Sequence, residues 1–311
     1  LSIQGAWCVE NAALLDFLQN LLQNLTPLAS WTRVKIMKLS LSVRIAEDAT
    51  KTTLNLPFAD IVHIARDQDY DAICLRASAA GVQTPREQRI KMKEEINRCG
   101  LVVSMVTTDC DVPLNNENGP KALRDITPSL EVAEDFGCDL IRVCMKNETD
   151  IPVAQSACDL AAQKNIRLAH QCHTTTLCEE VEPTLELLKK IDRSNFGLIF
   201  EPANLMLCGQ SYGMETLKAY FPYVMNVYVQ NHRLDANGPV SQETWCRGVQ
   251  SFHNLLLWEE GGVDIAGLIH NLLSLEYTGY FTIHHAQDVK TTLEAEQYAK
   301  NCAKFVRSFL S

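Results

Sequence analysis

From Met37 onward the chain alternates two patterns. A short run of β-branched and apolar residues gives way to a turn, and then to a longer stretch whose apolar positions recur every three or four residues. The first pattern predicts buried strands, at 37–43, 71–76, 101–107, 139–144, 166–171, 196–201, 223–230 and 279–284. The second predicts helices near 57–68, 86–99, 120–136, 153–164, 177–192, 213–220, 264–276 and 290–309. Local signals agree. Thr84-Pro85-Arg86-Glu87 carries an early proline and acid, and "TLCEEVEPTLELLKKI" places acids early and lysines late, as the helix dipole favours. Eight strands alternating with eight helices imply parallel pairing, and the recurrent unit implies a closed (β/α)8 TIM barrel of the α/β class. Neither G-x-G-x-x-G nor G-x-x-x-x-G-K-[ST] occurs, so dinucleotide and P-loop chemistry lose support.

Two segments depart from the pattern. Residues 1–36, with Leu14, Leu15, Phe17, Leu18, Leu21 and Leu22 at helical spacing, read as an N-terminal helical extension appended to a single barrel domain, 37–311. Residues 231–263 form the longest gap between strands. Read as a βα-loop, they shape a pocket, with Trp245, Phe252, His253 and Trp258 available as a platform for a sugar ring, or they pack as a loop with its own small core.

Charge narrows the partners. The 311 residues carry a formal net charge of −10, which would repel a phosphate backbone, so no nucleic acid partner is expected. No apolar run approaches the ~20 residues of a membrane helix, and the N-terminus lacks a basic and then apolar leader, so neither membrane nor secretion is expected. The sequons Asn24-Leu-Thr26 and Asn147-Glu-Thr149 then read as chance matches. The 12 cysteines include no C-x-x-C pair and read as small buried hydrophobes of a cytoplasmic protein. A homo-oligomer is compatible with all of this.

In a barrel of this kind the chemistry sits at the carboxyl ends of the strands. There the sequence places Arg44, Arg76, Thr107 and Thr108, Arg142 and Cys144, Gln171 with His173, Glu201 with Asn204, Gln230 to His232, and His284 with His285. Side chains alternate along a strand, so of His170 and Gln171 one faces inward, and likewise of His284 and His285. An inward Arg76 or Arg142 could clamp a phosphate or carboxylate, or pair with Asp71 or Asp109.

Four stretches carry a resemblance: "GCDLIRVC", "KNIRLAHQCHTTTL", "NFGLIFEPANLMLCG" and "GGVDIAGLIHNLLSLEYTGYFTIHH". They resemble strands four, five, six and eight of the xylose-isomerase-like TIM-barrel superfamily, which includes sugar isomerases and epimerases, inosose dehydratase-like lyases and apurinic endonucleases. The resemblance spans about residues 37–311. It implies a divalent metal held by Glu, Asp, His and Glu from strands five to eight, with two carboxylates passing a proton across an enediolate. Carried over by motif, those positions are Gln171, Glu201, Tyr228 and His284, and each departs from the usual residue. An amide has no proton to exchange near neutral pH, whereas Glu201 and His284 can act as base or ligand.

The resemblance therefore implies a rewired site. Glu201 and His284 are the expected catalytic pair. Gln171, Glu201, His232 and His284 are the expected metal ligands, and such a nitrogen-rich set suits Mn, Zn, Co or Fe better than Mg. His173, Asn204, Gln230, Arg76 and Arg233 are the expected substrate contacts. His170 and His285 are expected to pack outside the barrel. The implied function is a sugar isomerase or epimerase acting on a keto-sugar or sugar acid, by metal-assisted proton transfer at the carbon α to a carbonyl. A lyase on the same substrate class, or a non-catalytic sugar-binding barrel, is the alternative.

Overall fold

The computed structural model describes residues 37–285 and 289–310. The N-terminal extension expected at 1–36 lies outside them. Strands form where the apolar runs predict them: β1 (Lys38–Ser42), β2 (Ala72–Arg76), β3 (Val102–Thr107), β4 (Leu140–Val143), β5 (Arg167–Gln171), β6 (Phe196–Phe200) and β7 (Val224–Val229), with the eighth barrel strand at Tyr280–Ile283. Besides two single turns at Asp111–Leu114 and Lys121–Arg124, the intervening helices are α1 (Phe58–Asp67), α2 (Arg86–Arg98), α3 (Thr127–Phe136), α4 (Asp150–Ala162), α5 (Val181–Ile191), the short α6 (Pro202–Leu207), α7 (Met214–Tyr220), α8 (Ile265–Ser274) and α9 (Thr292–Arg307). Their ends obey side-chain chemistry. Thr291 and Glu294 form a reciprocal capping box at the start of α9, and Asp264 accepts from Gly267 N at 2.8 Å at the start of α8. α3 stops at Gly137, whose φ of +66° is open to glycine at little cost.

The eight strands pair in parallel and close on themselves, so no barrel edge is left open. Two cores result. The larger lies between strands and helices. The smaller fills the barrel interior with Cys74, Met105, Leu140, Ala169, Ile199 and Tyr228. Below it the interior turns polar and pairs internally, Ser40 Oγ with Ser104 Oγ at 2.7 Å and Thr282 Oγ1 donating to Asn226 Oδ1 at 2.8 Å.

The segment expected as a loop at 231–263 contains a three-stranded antiparallel sheet, β8 (Asn231–Leu234), β9 (Val240–Thr244) and β10 (Gly248–Leu255), in the order β8-β10-β9. Its turn closes at Gly248, at φ +68°. Phe252 faces Val240 across one ladder and Leu234 across the other, and is 2% exposed. The eighth barrel strand, Tyr280–Ile283, is therefore β11 in chain order.

Candidate active site

Strand alternation aims one residue from each strand end at the barrel axis. Arg76, Arg142, Gln171, Gln230 and His284 line a cavity of about 410 Å³ at the carboxyl end of the barrel, a volume suited to a small molecule. Residues after the strands, Arg44, Lys51, His173, Thr174 and Asn204, add to its wall, and Gln242, Glu243, Phe252 and Asn254 of the β9–β10 hairpin close over it.

Glu201 sits behind this wall, fully buried. It is the residue before α6, and Pro202 opens that helix, so the chain turns sharply and holds the carboxylate at the barrel axis. Three carboxamides cover it. Gln171 Nε2 and Asn204 Nδ2 donate to Oε2, the latter at 2.6 Å, and Gln230 Nε2 donates to Oε1. Burial pushes its acid up to about 7, against the pull of the Gln171 amide, the Arg142 charge and the Gln230 amide. Among the described residues Oε1 accepts from Gln230 alone, and Gln230 is the partly exposed member of the three.

His284 is held from both sides. Arg76 Nη1 lies 3.1 Å from its Nε2 and Ser42 Oγ 3.0 Å from its Nδ1, while its ring stacks on Tyr228 at 3.7 Å. A guanidinium can only donate, so Nε2 accepts and Nδ1–H points to Ser42. Burial and then the charges of Arg76, Arg44 and Arg142 hold the imidazole well below its ordinary range, and so neutral. Arg76 in turn donates through Nε to Glu47 Oε1 at 2.6 Å, and Arg44 pairs with Glu47 Oε2 at 2.9 Å. The partner of Arg76 is thus Glu47, not Asp71 or Asp109. Glu47 and Lys51 escaped sequence reading because they follow β1 through a short 3-10 turn, beyond the strand-end position.

The remaining expected residues sort by position. His173 lines the cavity and bonds Thr174 O through Nδ1 at 3.0 Å. His232 also reaches the wall, from β8, where it pairs with Asn254 of β10; its ring packs edge-on to Phe252 at 4.3 Å and burial lowers it to about 3. His285, expected against a helix, does pack on Tyr298 of α9, and it also lines the cavity. His170 lies outside the cavity wall and bonds Gln171 O at 2.7 Å. Arg233, expected as a substrate contact, is exposed and lines no part of the cavity, since its place on β8 alternates with His232. Of the four aromatic platform residues only Phe252 reaches the cavity. Trp245 lies beneath Lys146 at 5.7 Å, His253 pairs with Asp235 at 3.1 Å and Trp258 packs on Tyr298.

These residues do not fit a divalent ion. The donor atoms of Glu201, His232 and His284 do not converge; among the described residues only Glu179, Cys208 and Cys246 bring three such atoms within 4.8 Å of one another. That trio lies away from the mouth, and its carboxylate already accepts from the backbone N–H groups of Thr175, Trp245 and Cys246. At the mouth the Nε2 lone pair of His284 is taken by Arg76, and a guanidinium stands where a cation would have to bind. The expected ligand set of Gln171, Glu201, His232 and His284 is therefore replaced by an amide-covered carboxylate and an arginine-bound imidazole.

A comparison with curated proteins finds no match. Solved structures share the fold at low identity. The probable 3-DHS dehydratase AsbF of Bacillus anthracis superposes with a TM-score of 0.66 at 17% identity, over 87% of this chain and 99% of that one. A xylose isomerase-like TIM barrel protein of Mycobacterium smegmatis in complex with magnesium gives 0.63 at 16%, over 89% and 99%. D-allulose 3-epimerase of Methylomonas sp. in complex with D-allulose gives 0.62 at 13%, over 88% and 96%. Residues 62–309 match the xylose isomerase-like TIM barrel family, and with the closed eight-stranded barrel this shows that the chain belongs to that family.

Proposed function

We propose that the chain is an enzyme that moves a proton at the carbon α to the carbonyl of a keto-sugar or sugar acid, with Glu201 as the proton-transfer group. One observation carries the reading. A fully buried carboxylate, pushed up to about 7, stands one amide away from a polar cavity of small-molecule size. Such a group is both ionised enough to take a proton and acidic enough to return it near neutral pH. Substrate entry rotates Gln230 off Oε1 and brings the α-carbon to that oxygen. Gln171 and Asn204 keep Oε2 fixed, so the carboxylate stays aimed. The guanidinium group of Arg76 favours the negative charge that develops on the carbonyl oxygen. His284 is a positioning residue, holding Arg76 through Nε2. With the family's ligand set replaced, no step is routed through a metal.

Proton exchange tests this directly. Wild-type protein in D2O is expected to place deuterium at the α-carbon of a substrate from a keto-sugar and sugar-acid panel, and E201Q to slow the exchange by at least about a hundredfold. Exchange in E201Q at the wild-type rate would sink the assignment.

A second reading draws on one observation. Both ring nitrogens of His284 are engaged, which removes it as the second base of the expected pair. One base suits β-elimination as well as isomerisation on one face, and the two separate by the appearance of a conjugated product absorbing in the ultraviolet.

A further inference from the structure

The wall of the cavity holds more positive charge than its partners neutralise. Arg44, Lys51, Arg76 and Arg142 line it. Against them stand two buried carboxylates, and both are spent. Glu47 is shared by Arg44, Arg76 and the Ser78 hydroxyl. Glu201 is capped by three amides and shielded behind them. Glu243, the other acid of the wall, is exposed on the hairpin, and its side chain forms no hydrogen bond or ion pair with a described residue.

Arg142 is the plainest case. It is 3% exposed, yet no described residue forms a hydrogen bond or ion pair with its side chain, and its Nε is buried without a partner. Burying an unpaired guanidinium is costly, because water is removed and nothing replaces it. Lys51 likewise has no side-chain hydrogen bond or ion pair with a described residue. Burial and then the neighbouring charges of Arg44, Arg76 and Arg142 draw its ammonium down to about 7, with Glu47 opposing. A water molecule could satisfy one N–H, but it would leave the charge uncompensated.

We propose that Arg142 and Lys51 hold an anionic group of the substrate, a phosphate or a carboxylate, with Arg44 and Arg76 at its flank. This rests on the reading of the cavity as the substrate site and narrows its substrates from keto-sugars at large to those carrying a negative charge. A planar guanidinium offers paired donors to either oxyanion, and an ammonium adds a point charge, so the two residues differ in what they contribute.

Calorimetric titration of the full chain at low ionic strength, with inorganic phosphate, malonate and xylitol as probes, tests the proposal. At least one anion is expected to bind the wild type, phosphate pointing to a phosphorylated sugar and malonate to a sugar acid. R142Q is expected to weaken that binding by about tenfold or more and K51Q by severalfold, whereas xylitol binding, if any, is unchanged by either. R142Q is also expected to unfold at the same or a higher temperature when ligand-free, since an uncompensated buried charge is gone. Anion binding that is absent from the wild type, or as tight in R142Q, would overturn the proposal; should R142Q fail to fold, unchanged anion binding in K51Q would overturn it instead. The two readings fail separately. Deuterium exchange of a neutral keto-sugar that depends on Glu201, without anion binding, removes this proposal and keeps Glu201. Anion binding that depends on Arg142, without exchange of any substrate, does the reverse.

Discussion

Glu201 pays a solvation penalty that its amide cover only partly offsets. Its folded acid lies near 7, above its ordinary 4.5, so ionisation opposes folding. The contribution of this group to stability is fully present below about pH 4.5 and is lost as pH rises through 7. E201Q should therefore melt higher than wild type at about pH 8, and calorimetric scans across the range should show the gain shrinking toward acid. Glu47 behaves oppositely. The charges of Arg76 and Arg44 and the Ser78 hydrogen bond outweigh its burial and hold its carboxyl below the ordinary range. E47Q strands Arg76, which is 2% exposed, and should cost about 3–5 kcal/mol in a denaturant titration. A neutral result there would mean that Arg76 finds another partner. Strand parity and the resemblance together made much of this legible beforehand: parity set Gln171 and His170 on opposite sides, and the motif carried over chose Gln171, Glu201 and His284 as the inward set. The state of His284 was not legible, because it depends on Arg76 and Ser42 from strands far away in sequence. Nor could spacing alone show that three amides would cover Glu201.

The β9–β10 hairpin is the element that adds a wall to the cavity at the barrel end. It supplies Gln242 and Phe252 to the wall, and Gln242 Nε2 donates to Thr174 Oγ1 after β5. Its tip is tied down by Glu179, which accepts from Trp245 N at 2.8 Å and Cys246 N at 2.9 Å. E179A should release the tip. Hydrogen exchange at residues 244–248 is expected to rise while the barrel strands keep their protection, and anion binding to weaken. Unchanged exchange at the tip would show that the β9–β10 ladder alone fixes it. The barrel strands were legible because burial on both faces imposes a continuous apolar run. The hairpin was not, since it packs on one side only. Its Val240-Ser241-Gln242-Glu243-Thr244 alternation carries a weak signal inside a polar segment.

Across the whole molecule, a net charge of −10 surrounds a cavity wall rich in arginine. A ligand anion approaches a repulsive surface and is held by a local field, so binding strength and approach rate respond to salt differently. Affinity falls with ionic strength, because the Arg142 and Lys51 contacts are screened, while the on-rate rises or holds level, because the repulsive field is screened too. Stopped-flow titrations at two salt concentrations separate these. Protonation couples to the same event. Glu201 and Lys51 both lie near 7, and a bound anion raises both, opposed at Glu201 by the Gln171 amide, the Arg142 charge and the Gln230 amide, and at Lys51 by the charges of Arg44, Arg76 and Arg142. Anion binding at neutral pH should therefore take up protons, read from binding heats in two buffers of different ionisation enthalpy.

The most direct test follows deuterium at the α-carbon by NMR in D2O, using chelator-treated protein and a panel of phosphorylated keto-sugars and sugar acids. The account predicts exchange that climbs as pH rises through about 7, survives chelation, and falls by at least about a hundredfold in E201Q. Exchange that persists in E201Q, or that chelation abolishes and added metal restores, would contradict it.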